Sequence, residues 1–195
     1  MHMKSILALA AILALFAGRS DAMDVLKIGD KAPAFHALDD TGAEWKSSDH
    51  VGKKIIVVYF YPADMTGGCT KQACKFRDDM SQLTELGIEV IGVSGDTVKN
   101  HQVFKQAYDL NYTLLADTQG DVAQAFGVPF TAGDKSFLAK IGNKEENLIR
   151  KGTAKRWTFV IDQNGKIAYI NTNVNPETDS HQVAEVAKDL KSPKF

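Results

Sequence analysis

Residues 55–93 read IIVVYFYPADMTGGCTKQACKFRDDMSQLTELGIEVIGV, and the change of hydrophobic period along this stretch decides the fold. Ile55 to Tyr61 is a continuous β-branched and aromatic run, the pattern of a central strand covered on both faces. Ile88 to Val93 reads the same way. Between them Cys69, Ala73, Phe76, Met80 and Leu83 recur at steps of four and three. That spacing lines them along one face of a helix, and Gly87 stands where the helix would end. Strand, helix and strand follow in order.

Downstream the alternation continues. A second helix is expected over Val98 to Tyr108, a short strand over Thr113 to Leu115 and a short helix over Val122 to Phe126. Trp157 to Ile161 and Lys166 to Ile170 flank Asp162-Gln163-Asn164-Gly165, whose Asn-Gly pair signals a tight antiparallel hairpin. Val183, Val186, Ala187 and Leu190 have helical spacing within Pro176 to Leu190, so a final helix should pack on that hairpin. A βαβ unit followed by a hairpin and a helix predicts an α/β thioredoxin fold, a central mixed sheet flanked by helices. Thr131 to Lys155 carries Asp134-Lys135, Asn143-Lys144-Glu145-Glu146-Asn147 and Arg150-Lys151, and its polarity reads as a solvated loop. With no internal repeat and no linker, residues 23–195 read as one domain.

Upstream, Lys4, the apolar run Ile6 to Ala17 and Gly18-Arg19-Ser20-Asp21-Ala22 have the outline of a secretory signal peptide over residues 1–22. The run is short of the roughly 20 residues a spanning helix needs, so no stable membrane insertion is expected after cleavage. The protein is expected to be exported, periplasmic or secreted. Its 23 basic and 24 acidic residues nearly cancel, which gives no attraction for nucleic acid or anionic lipid. His2, His36, His50, His101 and His181 are far apart in sequence and form no pair at metal-ligand spacing, and they read as surface or structural residues. Glu85 and Glu89 form no recognisable acid/base pair, and the Asn111-Tyr112-Thr113 sequon carries no assigned function.

Two cysteines in an exported chain are too few to hold a fold together, so their placement carries the meaning. The segment from Tyr59 to Cys74 leaves a buried strand, turns, and puts Cys69 in the first turn of a helix. The unsatisfied backbone N–H groups there carry partial positive charge and favour thiolate over thiol. Gly67 and Gly68 would let a small ligand approach the backbone. A cysteine on the buried stripe can also be a small core hydrophobe, but Cys74 argues otherwise. Five residues further on a helix is a rotation of about 140° and a rise of about 7.5 Å, or roughly 8.7 Å between Cα atoms. A disulfide tolerates at most about 7 Å. If both residues are helical, no bond joins them until a turn unwinds, which is the geometry of a redox switch; a bridge in a permanently irregular loop is the alternative.

Pro62-x-x-x-Thr66-x-x-Cys69 resembles the active-site motif of the peroxiredoxins, and FYP…CTKQACKFRD is similar to the Q-type, or bacterioferritin-comigratory-protein, subfamily. The likeness runs from Ile28-Gly-Asp-Lys-Ala-Pro-Ala-Phe35 through Arg156-Trp-Thr-Phe-Val-Ile-Asp162. It implies that Cys69 is the peroxidatic nucleophile, Thr66 a hydroxyl partner to peroxide and thiolate, Pro62 a shield over the sulfur and Arg156 the catalytic arginine. Arg150 is the rival for that last place, but Arg156 precedes the strand in the register that the family uses. Cys74 would resolve the Cys69 sulfenic acid as a Cys69–Cys74 disulfide. The implied substrates are hydrogen peroxide and organic hydroperoxides, the implied partner is a thioredoxin-like dithiol reductant, and no cofactor is needed. Such an intramolecular cycle suits a monomer. The family usually has Pro where this chain has Gly67, which is expected to loosen the loop before Cys69. Two rival readings stand beside this one. A thiol–disulfide oxidoreductase would ordinarily carry C-x-x-C, and a copper-carrying or redox-sensing protein would need a third ligand that the sequence does not place.

Overall fold

The computed structural model describes residues 26–192, so the signal-like segment over residues 1–22 lies outside the described residues. The elements are β1 (His36–Asp39), β2 (Glu44–Lys46), β3 (Ile55–Phe60), α1 (Gly67–Asp78), α2 (Met80–Glu85), β4 (Ile88–Ser94) and α3 (Val98–Tyr108). There follow β5 (Thr113–Ala116), α4 (Asp121–Ala125), β6 (Phe130–Ile141), β7 (Lys144–Ala154), β8 (Trp157–Ile161), β9 (Ile167–Asn171) and α5 (Asp179–Lys191). Seven strands form one mixed sheet in the order β2-β1-β5-β4-β3-β8-β9. β3, β4 and β5 run parallel, and β8 pairs antiparallel with both β3 and β9.

The unbroken apolar run of β3 follows from its place between two cores. Ile55, Val57 and Tyr59 enter one cluster, with Phe76 of α1, Phe104 of α3 and Val183 of α5. Ile56, Val58 and Phe60 enter the other, with Val122 of α4 and the N-terminal residues Phe35 and Trp45. Neither face of the strand meets water, so no polar alternation survives.

Where one helix is expected from Cys69 to Leu83, two are found. The interruption is Asp79, which leaves helical geometry at φ −87°, ψ 0° and accepts a hydrogen bond from Ser180 Oγ at 2.6 Å. This bond to the start of α5 is a tertiary contact that overrides a periodic pattern.

The expected loop over Thr131 to Lys155 is corrected: β6 and β7 pair as a long antiparallel hairpin, from Phe130↔Ala154 to Ile141↔Lys144, with an irregularity between Ala132 and Lys135. Phe137, Ala139 and Leu148 pack on Val103 of α3, while Leu138 and Ile149 are exposed. The polar residues are those of a ribbon with one wet face. The base of the hairpin lies against the end of β4, where Lys151 N–H donates to Gly95 O at 2.8 Å. A Cβ on Gly95 would run into the backbone of Gly152, which leaves room only for glycine unless the hairpin shifts.

Three buried phenols cross the core. Tyr112 Oη donates to the carbonyl of Ala73 in α1 at 3.1 Å, so in the 2.8 Å contact between phenols Tyr59 is the donor to Tyr112. Tyr61 Oη donates to Asp64 Oδ1 at 2.7 Å. Burial pushes all three phenols above their ordinary range. An acid whose pKa is raised on folding contributes stability below its unfolded pKa, here about 10, and loses it as pH climbs toward the folded value. Stability should therefore fall above pH 10 by roughly 1.4 kcal/mol per pH unit for each tyrosine, about three times that for the set. Urea denaturation at pH 9, 10 and 11 measures this, and Tyr112→Phe should remove about a third of the slope. A midpoint that stays flat across that range contradicts it.

Candidate active site

β3 ends at the edge of the core, and residues 61–66 turn the chain into α1 at the C-terminal end of the parallel strands, where α/β sheets open a crevice. Thr66 is the N-cap at φ −92°, ψ 148°, Gly67 is the first helical residue and Cys69 the third. The Cys69 side chain is 2% exposed, and both cysteines are free. Thr66 does not cap the helix with its side chain, because its hydroxyl donates to the carbonyl of Ala63 at 3.0 Å. What Thr66 retains for a ligand is its acceptor lone pairs.

The turn is held from beneath. Met65 sits at φ +60°, a left-handed conformation uncommon for a non-glycine residue, and packs against the Phe137, Ala139 and Leu148 side of the hairpin. Asp64 is fully buried; its Oδ1 accepts from Tyr61, its Oδ2 contacts His101 Nδ1 at 2.8 Å, and its N–H donates to Asp96 Oδ2 at 2.9 Å. Asp96 also accepts from Ser94 Oγ and Asn100 Nδ2, each at 2.9 Å, and Asn100 donates to the carbonyl of Ile149 in β7 at 3.0 Å. Burial works against an imidazolium at His101, but the Asp64 carboxylate, their hydrogen bond and the Asp96 carboxylate outweigh it and raise the pKa. Burial, aided by the charge of Asp64, raises the Asp96 carboxyl. One polar network thus ties the loop before Cys69 to α3, β4 and the hairpin.

Arg156 enters from the residue before β8. Its Nη2 donates to Cys69 Sγ at 3.2 Å, and its Nη1 donates to Gln72 Oε1. Gln72 in turn donates to Asp179 Oδ2 at 2.7 Å, and Thr158 Oγ1 donates to the same oxygen at 2.8 Å. Arg150 is elsewhere, its Nε bonded to Thr153 Oγ1 at 3.1 Å within β7. Burial pushes the Asp179 carboxyl up, against the hydrogen bonds of Thr158 and Gln72 and the charge of Arg156.

Of the residues singled out in the sequence, Cys69 and Arg156 are in direct contact, Thr66 occupies the N-cap position of the same helix with its hydroxyl turned to Ala63 O, and Pro62 is half-buried in the preceding turn. Cys74 lies one and a half turns further along α1, half-buried. Burial pushes its thiol up and Asp78 adds to this, while Arg77 opposes them. Nothing lies within 4 Å of a Cβ built on Gly67, and one on Gly68 would make ordinary contact with Arg156 at 3.5 Å, so neither glycine is sterically required. Gly67 stands at the first helical position, where proline is well tolerated.

Gln72, Thr158 and Asp179 escaped the sequence reading. The i, i+3 spacing of Gln72 from Cys69 places both on one side of α1 and was a usable signal. Asp179 is 107 residues from Gln72, and no local pattern links them.

Comparison with known proteins identifies the family and the fold. The AhpC/TSA family model matches residues 28–170. A putative peroxiredoxin of Coxiella burnetii is 43% identical over 165 residues, covering 85% of this chain and 99% of that protein. Chloroplastic peroxiredoxin Q of Suaeda salsa is 41% identical, covering 84% of this chain and 67% of the plant protein. Among solved structures, the crystal structure of the peroxidoxin BcpB of Mycobacterium tuberculosis superposes with a TM-score of 0.70 at 30% identity, over 86% of this chain and 99% of that one.

Proposed function

The chain belongs to the AhpC/TSA family and is a peroxiredoxin, a thiol-dependent peroxidase, and from that premise we propose that Cys69 is its peroxidatic nucleophile and Cys74 its resolving thiol. The observation that carries this reading is the 3.2 Å contact from Arg156 Nη2 to the Cys69 sulfur in the first turn of α1. A guanidinium and a helix N-terminus together stabilise a thiolate and the negative charge that develops as it reacts. Cys74 is away from the helix N-terminus, and although Arg77 is near it, burial and Asp78 outweigh that charge and push its thiol up.

The thiolate of Cys69 attacks the terminal oxygen of a hydroperoxide. The O–O bond breaks, its electron pair leaves on the alkoxide or hydroxide, and that group takes up a proton and departs as alcohol or water. Thr66 Oγ accepts a hydrogen bond from the incoming peroxide, and Pro62 shields the sulfur. Cys69 is left as a sulfenic acid; Cys74 then attacks that sulfur, an S–S bond forms, and the hydroxyl leaves as water with the Cys74 proton. With the two residues five apart on an intact helix, their Cα atoms are roughly 8.7 Å apart, so resolution requires a turn of α1 to unwind. That motion breaks the Tyr112 contact to Ala73. An external thioredoxin-like dithiol returns the enzyme to the reduced state. The signal-like segment supports export, with a reductant in the same compartment, and the intramolecular disulfide supports a monomeric cycle.

Mixing reduced protein with one equivalent of hydrogen peroxide should give thiol loss much faster than that of a free cysteine and, by mass spectrometry, a Cys69–Cys74 disulfide. Cys74→Ser should consume one equivalent of peroxide at the parent rate and then stall with Cys69 as sulfenic acid. Continued turnover of Cys74→Ser with the dithiol would remove Cys74 from the cycle.

A further inference from the structure

We propose that Asp179 is a positioning residue for peroxide reduction, holding the Gln72 amide in the one orientation that aims Arg156 at the Cys69 sulfur; the inference rests on the reading of Cys69 as the nucleophile. The side-chain amide of Gln72 has a donor end and an acceptor end, and the two groups it touches have opposite needs. Arg156 only donates, so it requires Oε1; an ionised Asp179 only accepts, so it requires Nε2. Reversing the amide would set donor against guanidinium and acceptor against carboxylate, two mismatches in a site where Gln72 and Asp179 are both fully buried. The polarity of the amide is therefore set from the Asp179 end, and Arg156 Nη1 is held while Nη2 is left for the sulfur.

Asp179 is itself held from two sides. It is the first residue of α5, where the helix dipole favours a carboxylate, and Thr158 of β8 donates to the oxygen that Gln72 uses. β8 follows directly on Arg156, so one carboxylate oxygen registers α1, α5 and the strand next to the arginine against one another. The other oxygen, Oδ1, is buried without a hydrogen-bond partner. Asp179 thus keeps one unused acceptor atom, which permits a substitution that separates the acceptor from the charge. In Asp179→Asn the amide oxygen can occupy the Oδ2 position and accept from both Gln72 and Thr158, while the NH₂ takes the place of the unpartnered oxygen.

The link also opposes the second half of the cycle, because unwinding α1 between Cys69 and Cys74 carries Gln72 away from Asp179. Removing the acceptor should slow the reaction with peroxide and leave disulfide formation unslowed or faster. General loosening of the fold would have no reason to divide the two steps in this way.

The test is stopped-flow measurement of both phases in the full protein with hydrogen peroxide. Asp179→Ala should slow Cys69 oxidation about 10-fold, the effect of losing one buried charge-assisted hydrogen bond. Asp179→Asn, which retains the fold more safely, should stay within about 3-fold of the parent because the acceptor is kept. In the Gln72→Leu background Asp179→Ala should add nothing, since the two act in series. Parent-like oxidation of Asp179→Ala, an Asp179→Asn as slow as Asp179→Ala, full additivity with Gln72→Leu, or equal slowing of both phases would each overturn the assignment. A parent protein that reacts no faster than a free thiol would overturn it together with the reading of Cys69; a fast parent with an unaffected Asp179→Ala overturns it alone.

Discussion

Cys69→Ser should reduce peroxide turnover to background, a loss on the order of 10⁶-fold, the scale set by removing the nucleophile from other covalent catalysts. Serine fits the space and leaves an oxygen for Arg156, so the fold and the guanidinium should stay in place. What is lost is the nucleophile, because an alcohol remains protonated where a thiolate forms. Cys74 does not take over. Burial holds it as a thiol, and Arg77 beside it is committed to Asp78 and to the carbonyl of Tyr108. Peroxide consumption with excess dithiol, followed to completion, measures the effect. Steady turnover by Cys69→Ser would transfer the nucleophilic role to Cys74.

Arg156→Met is expected to slow the first oxidation of Cys69 by about 10²–10³-fold, the range for removing a donor aimed at developing negative charge. Methionine fills much of the same space, so the change falls on the hydrogen bonds to Cys69 and Gln72. Arg156→Lys should recover little. The planar guanidinium serves the sulfur with one nitrogen and Gln72 with another, whereas an ammonium on a flexible stem is a single point. Single-turnover rates against hydrogen peroxide give the comparison, with Arg150→Met as the control. Arg150 is bound to Thr153 in the hairpin, and its replacement should leave the rate within about 2-fold, as expected of a distant independent site. The opposite ranking of the two arginines would displace Arg156.

The elements read best from sequence are those with a regular hydrophobic pattern and a local start or stop signal. Val98–Tyr108 is found as α3 with the bounds its periodicity implies, closed by Thr97 as N-cap and by Asp109 in a left-handed conformation. Trp157–Ile161 is β8, and the Asn164-Gly165 turn leads to β9, one residue later than expected. The hairpin of β6 and β7 was hidden by its charges, since one face is solvated and the other carries only a few apolar residues. Its signal was nevertheless present: Gly142-Asn143 is a two-residue hairpin turn, with Gly142 at φ +59°, and Phe137 and Ala139 alternate toward it. The break at Asp79 had no such signal, because Ser180, which bonds to it, is 101 residues away.

By itself the sequence determined the strand–helix–strand frame, the place of Cys69 in a first helical turn and the separation of Cys74 from it along α1. These are matters of hydrophobic period and of spacing along one helix, interactions that reach only a few residues. Arg156 was named by the family resemblance; only the tertiary structure brought its guanidinium to the sulfur, braced the loop before it with His101, Asp64 and Asp96, and joined Gln72 to Asp179 behind the arginine. Each of those contacts joins residues 32 to 107 positions apart. They exist because the buried sheet brings distant chain ends to one crevice, where a polar group without a partner is costly and a matching partner is therefore decisive.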